Sequence, residues 1–139
     1  MNYLYPYLKK MRLHVPGRIS EEDAQRQEQT AREILKRLSQ RPGVILADEV
    51  GMGKTFVALA VAVSVALANR GRRPVVVMVP PSLRAKWPRD FELFRQKCLS
   101  PEVAENIRYA SAERAVEFLK LLDDPPNRRK QIVFVTHGA

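Results

Sequence analysis

The sequence predicts an α/β fold in which helices cover a parallel sheet, and three observations carry that prediction. Apolar runs recur at Val44-Ile45-Leu46-Ala47, Val75-Val76-Val77-Met78-Val79 and Ile132-Val133-Phe134-Val135-Thr136. Near-continuous runs of this kind mark strands buried on both faces, the habit of parallel strands joined by helical crossovers. Stretches with helical spacing lie between the runs, and alternation of the two element types is the pattern of a parallel α/β sheet. Finally, a short glycine-containing segment, Gly51-Met52-Gly53, stands between the first run and the most apolar stretch of the chain.

The elements follow in order. Residues 1–19 form an irregular arm in which Tyr3, Tyr5 and Tyr7 alternate with other residues ahead of Lys9, Lys10 and Arg12. Interleaved aromatic and basic residues suit nucleic-acid contact, and docking on another domain is the competing reading. Ser20-Glu21-Glu22-Asp23 opens a helix with an N-cap hydroxyl and acids in the first turn. Ala31, Ile34, Leu35 and Leu38 then recur at core-facing spacing, with Gln25, Gln27 and Gln29 just upstream. Pro42-Gly43 signals a turn into the first strand, 43–47. Residues 56–68 form a helix with almost no polar residue, closed at Asn69-Arg70-Gly71. Val75 to Val79 is the second strand, and Ser82 is placed to cap a helix bearing Trp87, Phe91 and Phe94, which Pro88 interrupts or restarts. Ile107-Arg108-Tyr109 reads as a short strand. Ser111 opens an amphipathic helix carrying Ala115, Phe118, Leu119 and Leu122, which ends at Asp123-Asp124-Pro125. Residues 131–136 form the third strand.

Length and composition narrow the function classes. With 139 residues and 45% hydrophobic content the chain builds one core. The N-terminus lacks the apolar core of a signal peptide, and 56–68 is shorter than the roughly 20 apolar residues a bilayer span requires. No membrane partner is expected. The lone Cys98 excludes an intramolecular disulfide and favours a reducing, cytoplasmic setting. A net charge of +9, from 24 Lys and Arg against 15 Asp and Glu, attracts polyanions. The basic residues cluster at Lys9-Lys10-Met11-Arg12, around Arg70, Arg72 and Arg73, around Arg84, Lys86 and Arg89, and at Arg128-Arg129-Lys130.

The chemistry is concentrated in Asp48-Glu49-Val50-Gly51-Met52-Gly53-Lys54-Thr55. Strand, loop and helix surround it in the order a phosphate-binding loop (P-loop, Walker A) requires. Gly51 and Gly53 allow backbone N–H groups to converge on phosphate oxygens. Lys54 adds charge at the β/γ-phosphates, Thr55 offers a hydroxyl to Mg²⁺, and the helix start turns its positive end toward the anion. The general pattern has glycine where this chain has Asp48, so the match is partial.

The segment Leu46-Ala47-Asp48-Glu49-Val50-Gly51-Met52-Gly53-Lys54-Thr55 resembles motif I of the Swi/Snf-type ATPases, helicase-like DNA translocases of superfamily two, in which the aspartate is the family's own form. Val76-Val77-Met78-Val79-Pro80-Pro81-Ser82-Leu83, followed by Lys86-Trp87, resembles motif Ia. Ile132-Val133-Phe134-Val135-Thr136-His137 resembles the next motif, with His137 in place of the commoner Tyr. The resemblance spans roughly residue 22 to the C-terminus. It implies a P-loop NTPase with a partial RecA-like lobe, ATP and Mg²⁺ as cofactors, and a two-lobed motor on double-stranded DNA. Asp48 to Thr55 would bind the nucleotide, with Lys54 and Thr55 as catalytic groups and Thr55 as the Mg²⁺ ligand. Gln27, with Gln29 as close competitor, would read adenine, and Ser82 and Thr136 would touch the DNA backbone. The wording of motif I suggests a bacterial type, hence a bacterial cytoplasm or nucleoid.

Hydrolysis in such motors also uses a second acidic motif at a strand end and arginines from another lobe. No such acidic pair follows Thr55, and Asp123-Asp124 reads as a helix end. The expectation is therefore that residues 20–139 form the N-terminal portion of an ATP-binding domain, inactive in hydrolysis without the remaining lobe or lobes of a larger protein. A stand-alone, non-catalytic nucleotide- or DNA-binding regulatory module is the alternative. A different P-loop NTPase of the AAA type is a weaker third.

Overall fold

The computed structural model describes residues 5–46, 54–70, 72–125 and 127–136. Its elements run α1 (Glu21–Leu38), α2 (Lys54–Ala68), β1 (Val75–Val79), a 3-10 turn (Pro81–Leu83), α3 (Lys86–Cys98), α4 (Pro101–Asn106), β2 (Tyr109–Ala112), α5 (Ala115–Leu122) and β3 (Ile132–Thr136). The three strands form one sheet in the order β1-β3-β2. Every pairing is parallel, with Val75 and Tyr109 both opposite Ile132. The α/β architecture and the parallel sheet flanked by helices are those the apolar runs predict.

One sheet face packs on α2 and α3. Phe91 and Phe94 of α3, Phe56 of α2, Tyr109 of β2 and Phe134 of β3 form a chain of ring contacts with centroids 4.9–6.3 Å apart. Such edge-on and offset pairs add to the burial term. Helix α2 buries residues on all sides, including Val57, Leu59, Ala60, Val63 and Ala66, because it is wedged between the sheet and α1. A helix apolar all round is a central helix. Helix α1 starts as expected: the Asp23 N–H donates to Ser20 Oγ at 3.1 Å.

The irregular N-terminal segment joins this core. Met11, Leu13, Val15 and Ile19 are buried. The Leu8 N–H donates to Ser64 Oγ of α2, the Leu13 N–H to Glu28 of α1, and the Arg12 N–H to the Cys98 carbonyl of α3. Tyr7 lies under the Arg32 guanidinium, 4.1 Å from its ring centroid, so this tyrosine is committed to packing. Tyr3 lies outside the described residues. Gly17, at φ +80°, closes the tight loop between the bridged residues Val15 and Ile19, a left-handed geometry that side chains disfavour.

Several local expectations change. Residues 43–46 form no strand among the described residues, and Ile45 is 91% exposed. Apolar composition favours burial, but a strand also needs a ladder partner, and β1, β2 and β3 pair only with one another. Ala47 lies outside the described residues. Ser111 belongs to β2 rather than opening a helix; α5 begins at Ala115. The Ser82 side chain caps nothing. Pro88 sits in the first turn of α3, where its missing N–H has no intrahelical role, so it neither breaks nor restarts the helix. Helix α4 went unpredicted. The turn after α2 holds Arg70 at φ +54°, while Gly71 lies outside the described residues.

Candidate functional site

Helix α2 is joined to β1 by a short turn and packs back on the sheet. Its 15 residues rise about 22 Å at 1.5 Å per residue, more than the span of β1. The start of α2 therefore lies toward the carboxyl ends of the strands, where ligands of open α/β sheets bind. Lys54 and Thr55 occupy the first turn and are half-exposed. No acidic residue shares that turn, and the N–H groups of a helix start are suited to an anion. Asp48, Glu49, Val50, Gly51, Met52 and Gly53 lie outside the described residues.

The three glutamines of α1 separate clearly. Gln25 and Gln29 are exposed, whereas Gln27 is 6% exposed and its Oε1 finds no hydrogen-bond partner among the described residues. A buried amide oxygen without a donor is costly. Gln29 instead lines an open groove of about 450 Å³ with Thr30, Ile34, Val44, Ile45 and Leu46, beside the chain leading to the glycine segment. The structure thus separates the two candidates by burial.

Ser82 is exposed in the turn after β1, and Thr136 ends β3 directly opposite Val79. Adjacent parallel strands thereby bring both residues to one sheet edge. His137 lies outside the described residues. Arg84 reaches Glu113, just after β2, at 3.6 Å, bridging the loops on either side of β3. Lys86 is engaged: its Nζ lies 2.7 Å from Asp90 Oδ2, and Arg18 approaches Oδ1 at 3.5 Å. Asp90 is buried. The Arg18 guanidinium also lies 5.8 Å from the Phe56 ring centroid, so one arginine of the N-terminal segment ties together α2 and α3. Sequence reading missed Asp90 and Arg18. The Lys86–Asp90 spacing on a helix was a visible signal; the partnership with Arg18 requires the tertiary fold.

A second polar cluster on α3 is structural. Glu92 accepts from Arg95 and, at 2.7 Å, from the Tyr109 hydroxyl. The Arg95 hydrogen bond, followed by that of Tyr109, holds the Glu92 carboxyl below its ordinary range. Among the described residues no group of His, Cys, Asp and Glu is arranged to hold a metal ion. Asp123 follows the end of α5 and Asp124 the next position, so neither closes a strand. No helix among the described residues is long and apolar enough to cross a membrane.

Comparison with known proteins follows the same lines. The family model for the SNF2-related domain matches residues 26–136. An RNA polymerase-associated protein RapA of Actinobacillus pleuropneumoniae serotype 5b is 33% identical over 119 residues, covering 72% of this chain and 12% of that protein. RapA of Pectobacterium carotovorum is 35% identical over 97 residues, covering 70% of this chain and 9% of its own length. RapA of Yersinia pestis is 39% identical over 71 residues, or 51% of this chain and 7% of that protein. The chain thus spans about a tenth of the length of these curated relatives. No solved structure matches it.

Proposed function

The chain belongs to the SNF2-related domain family, the Swi/Snf-type, helicase-like ATPases of superfamily two, and from that premise we propose that residues 48–55 bind Mg-ATP as part of a DNA-dependent motor. The observation that carries the reading is the start of α2, where Lys54 and Thr55 stand half-exposed in a first turn free of acids, at the carboxyl end of a parallel sheet. Lys54 supplies the charge at the β/γ-phosphates, Thr55 the hydroxyl for Mg²⁺, and Gly51 and Gly53 the close backbone approach. The unpartnered, buried Oε1 of Gln27 is an acceptor suited to the amino group of adenine. Bound ATP contributes the phosphoanhydride whose hydrolysis drives movement. Ser82 and Thr136, brought to one sheet edge by the Val79–Thr136 pairing, contact DNA phosphates, which position without reading sequence.

Hydrolysis is assigned to the whole motor. Glu113 is a single acid beyond β2 and is paired with Arg84, so the described residues supply no acidic pair to hold Mg²⁺ and orient water. The remaining lobe or lobes are the partners that complete the site. Fluorescent ATP titrated into the chain with Mg²⁺ tests this: binding that Lys54→Ala reduces at least tenfold, without turnover in the presence or absence of duplex DNA, is expected. Equal binding by both forms overturns the assignment to 48–55, and turnover overturns the account of the divided site.

A further inference from the structure

The sheet has a second charged edge, opposite the one bearing Ser82 and Thr136. Because β1, β2 and β3 are parallel and start in register at Val75, Tyr109 and Ile132, the residues that precede them meet at the amino edge. Those residues are Arg72 and Arg73 before β1, Arg108 before β2, and Arg128, Arg129 and Lys130 before β3. Basic clusters separated in sequence thus become one surface.

Backbone and side-chain hydrogen bonds fix the frame. Arg129 Nη1 donates to the Arg72 carbonyl at 2.9 Å, and Arg108 Nε donates to the Arg129 carbonyl at 3.2 Å. The Arg108 N–H donates to Gln131 Oε1 at 2.6 Å, while the Gln131 carbonyl accepts from Val75 at 2.8 Å. These bonds spend guanidinium N–H groups on carbonyls, which leaves the charge uncompensated. Among the described residues none of the six forms an ion pair, although Asp123 and Asp124 follow the nearby end of α5. Arg72, Arg73, Arg108 and Arg128 are exposed.

We infer that this amino edge is a second, sequence-independent binding surface for the phosphate backbone of duplex nucleic acid, separate from the edge that carries Ser82 and Thr136. Parallel strands lie about 4.8 Å apart, so the three basic segments span about 10 Å. A duplex carries one negative charge per about 1.7 Å of axis, which sets several phosphates before the edge at once. Arginine predominates over lysine, and its planar fork matches phosphate oxygens in pairs. No aromatic residue lies among 72–74 or 127–131, and Tyr109 beside Arg108 is engaged with Phe91, Phe134 and Glu92, so no free aromatic anchors a protein–protein contact, which favours nucleic acid over an acidic protein.

The test uses the full chain and a random-sequence duplex. The variant Arg72→Gln/Arg73→Gln/Arg128→Gln removes exposed cations that donate none of the bonds above. A control, Lys36→Gln/Arg41→Gln/Lys97→Gln, removes the same charge from other exposed positions. The edge variant is expected to bind DNA at least tenfold more weakly near 0.1 M salt, with the slope of log K against log salt reduced by about 2–3. The control changes affinity less than threefold, and Arg72→Lys/Arg73→Lys/Arg128→Lys keeps the salt slope. Equal losses in edge and control variants, an unchanged slope in the edge variant, or failure of the Lys variant to bind would overturn the inference. So would displacement of DNA by polyglutamate at equal charge concentration, which would assign the edge to an acidic protein. Parallel titration of an RNA duplex distinguishes the two nucleic acids. Ser82→Ala leaves the contribution of the amino edge intact, so this result stands or falls separately from the proposed motor contacts.

Discussion

Gln27 is set apart from the neighbouring glutamines by its surroundings. The sequence put Gln27 first with Gln29 as close competitor, and of the three glutamines only Gln27 is buried with an orphaned oxygen. If that oxygen meets adenine, Gln27→Ala weakens ATP binding more than GTP binding, while Gln29→Ala affects both less; competitive nucleotide titrations decide, and equal losses remove Gln27 from the base site. Asp90 is the converse case, a buried acid with a structural task. Its carboxylate answers both Lys86 and Arg18, so Asp90→Ala should cost about 1–2 kcal/mol, discounted from the cost of breaking a fully buried pair because both cations are about half exposed. Arg18→Ala should cost less, since Lys86 remains; urea unfolding that ranks the two in the opposite order would refute this. At high pH, two buried groups act together. Burial first, then the Glu28 carboxylate, pushes the Cys98 thiol up to about 12 and raises the Tyr7 hydroxyl in the same way. The folded state holds protons that the unfolded chain releases, so stability falls as pH rises, from the unfolded cysteine value of about 8.5 upward. Urea midpoints at pH 10.5 below those at pH 7.5, with a smaller drop in Cys98→Ala, are expected; a flat profile contradicts it.

At the scale of elements, legibility in the sequence follows the locality of the cause. The start of α1 was readable because Ser20 and the acids behind it act within one turn. Strands β1 and β3 were readable as unbroken apolar runs, although only β3 is buried on both faces: Val76 and Met78 leave one face of β1 open. The segment 43–46 shares that composition but lacks a ladder partner, and pairing is not encoded locally. Strand β2, Tyr109-Ala110-Ser111-Ala112, was placed too early because small residues mimic a helix start; its register with β3 decides its identity. For α5 the apolar spacing was real, but the helix lies at the sheet's margin, and Leu119 remains 58% exposed. Substitution reads this difference directly. Leu59→Ala in α2, at a fully buried position, should cost about 2–5 kcal/mol, whereas Leu119→Ala should stay within about 0.5 kcal/mol. Comparable destabilisation in thermal melts would mean that α5 is packed more tightly than its exposure indicates.

In the whole molecule, α2 joins the core to the proposed nucleotide site: its middle is enclosed by α1, α3 and the sheet, and its first turn lies toward the strand ends. The sequence displayed the motif 48–55 through its spacing, and the fold adds the burial of Gln27 on α1 and the shared strand ends of Ser82 and Thr136. The N-terminal segment, read as a separate arm, contributes Met11 and Leu13 to the same core, a role hidden by its lack of regular structure. The central claim is that nucleotide sits at the start of α2. Amide hydrogen exchange of the chain with and without Mg-ATP tests it most directly. Slowed exchange at residues 48–57 and around Gln27, with the amino-edge residues 72–74 and 128–130 unchanged, is the predicted result. Unaltered exchange at 48–57 under saturating Mg-ATP, or protection confined to the arginine edge, would contradict it.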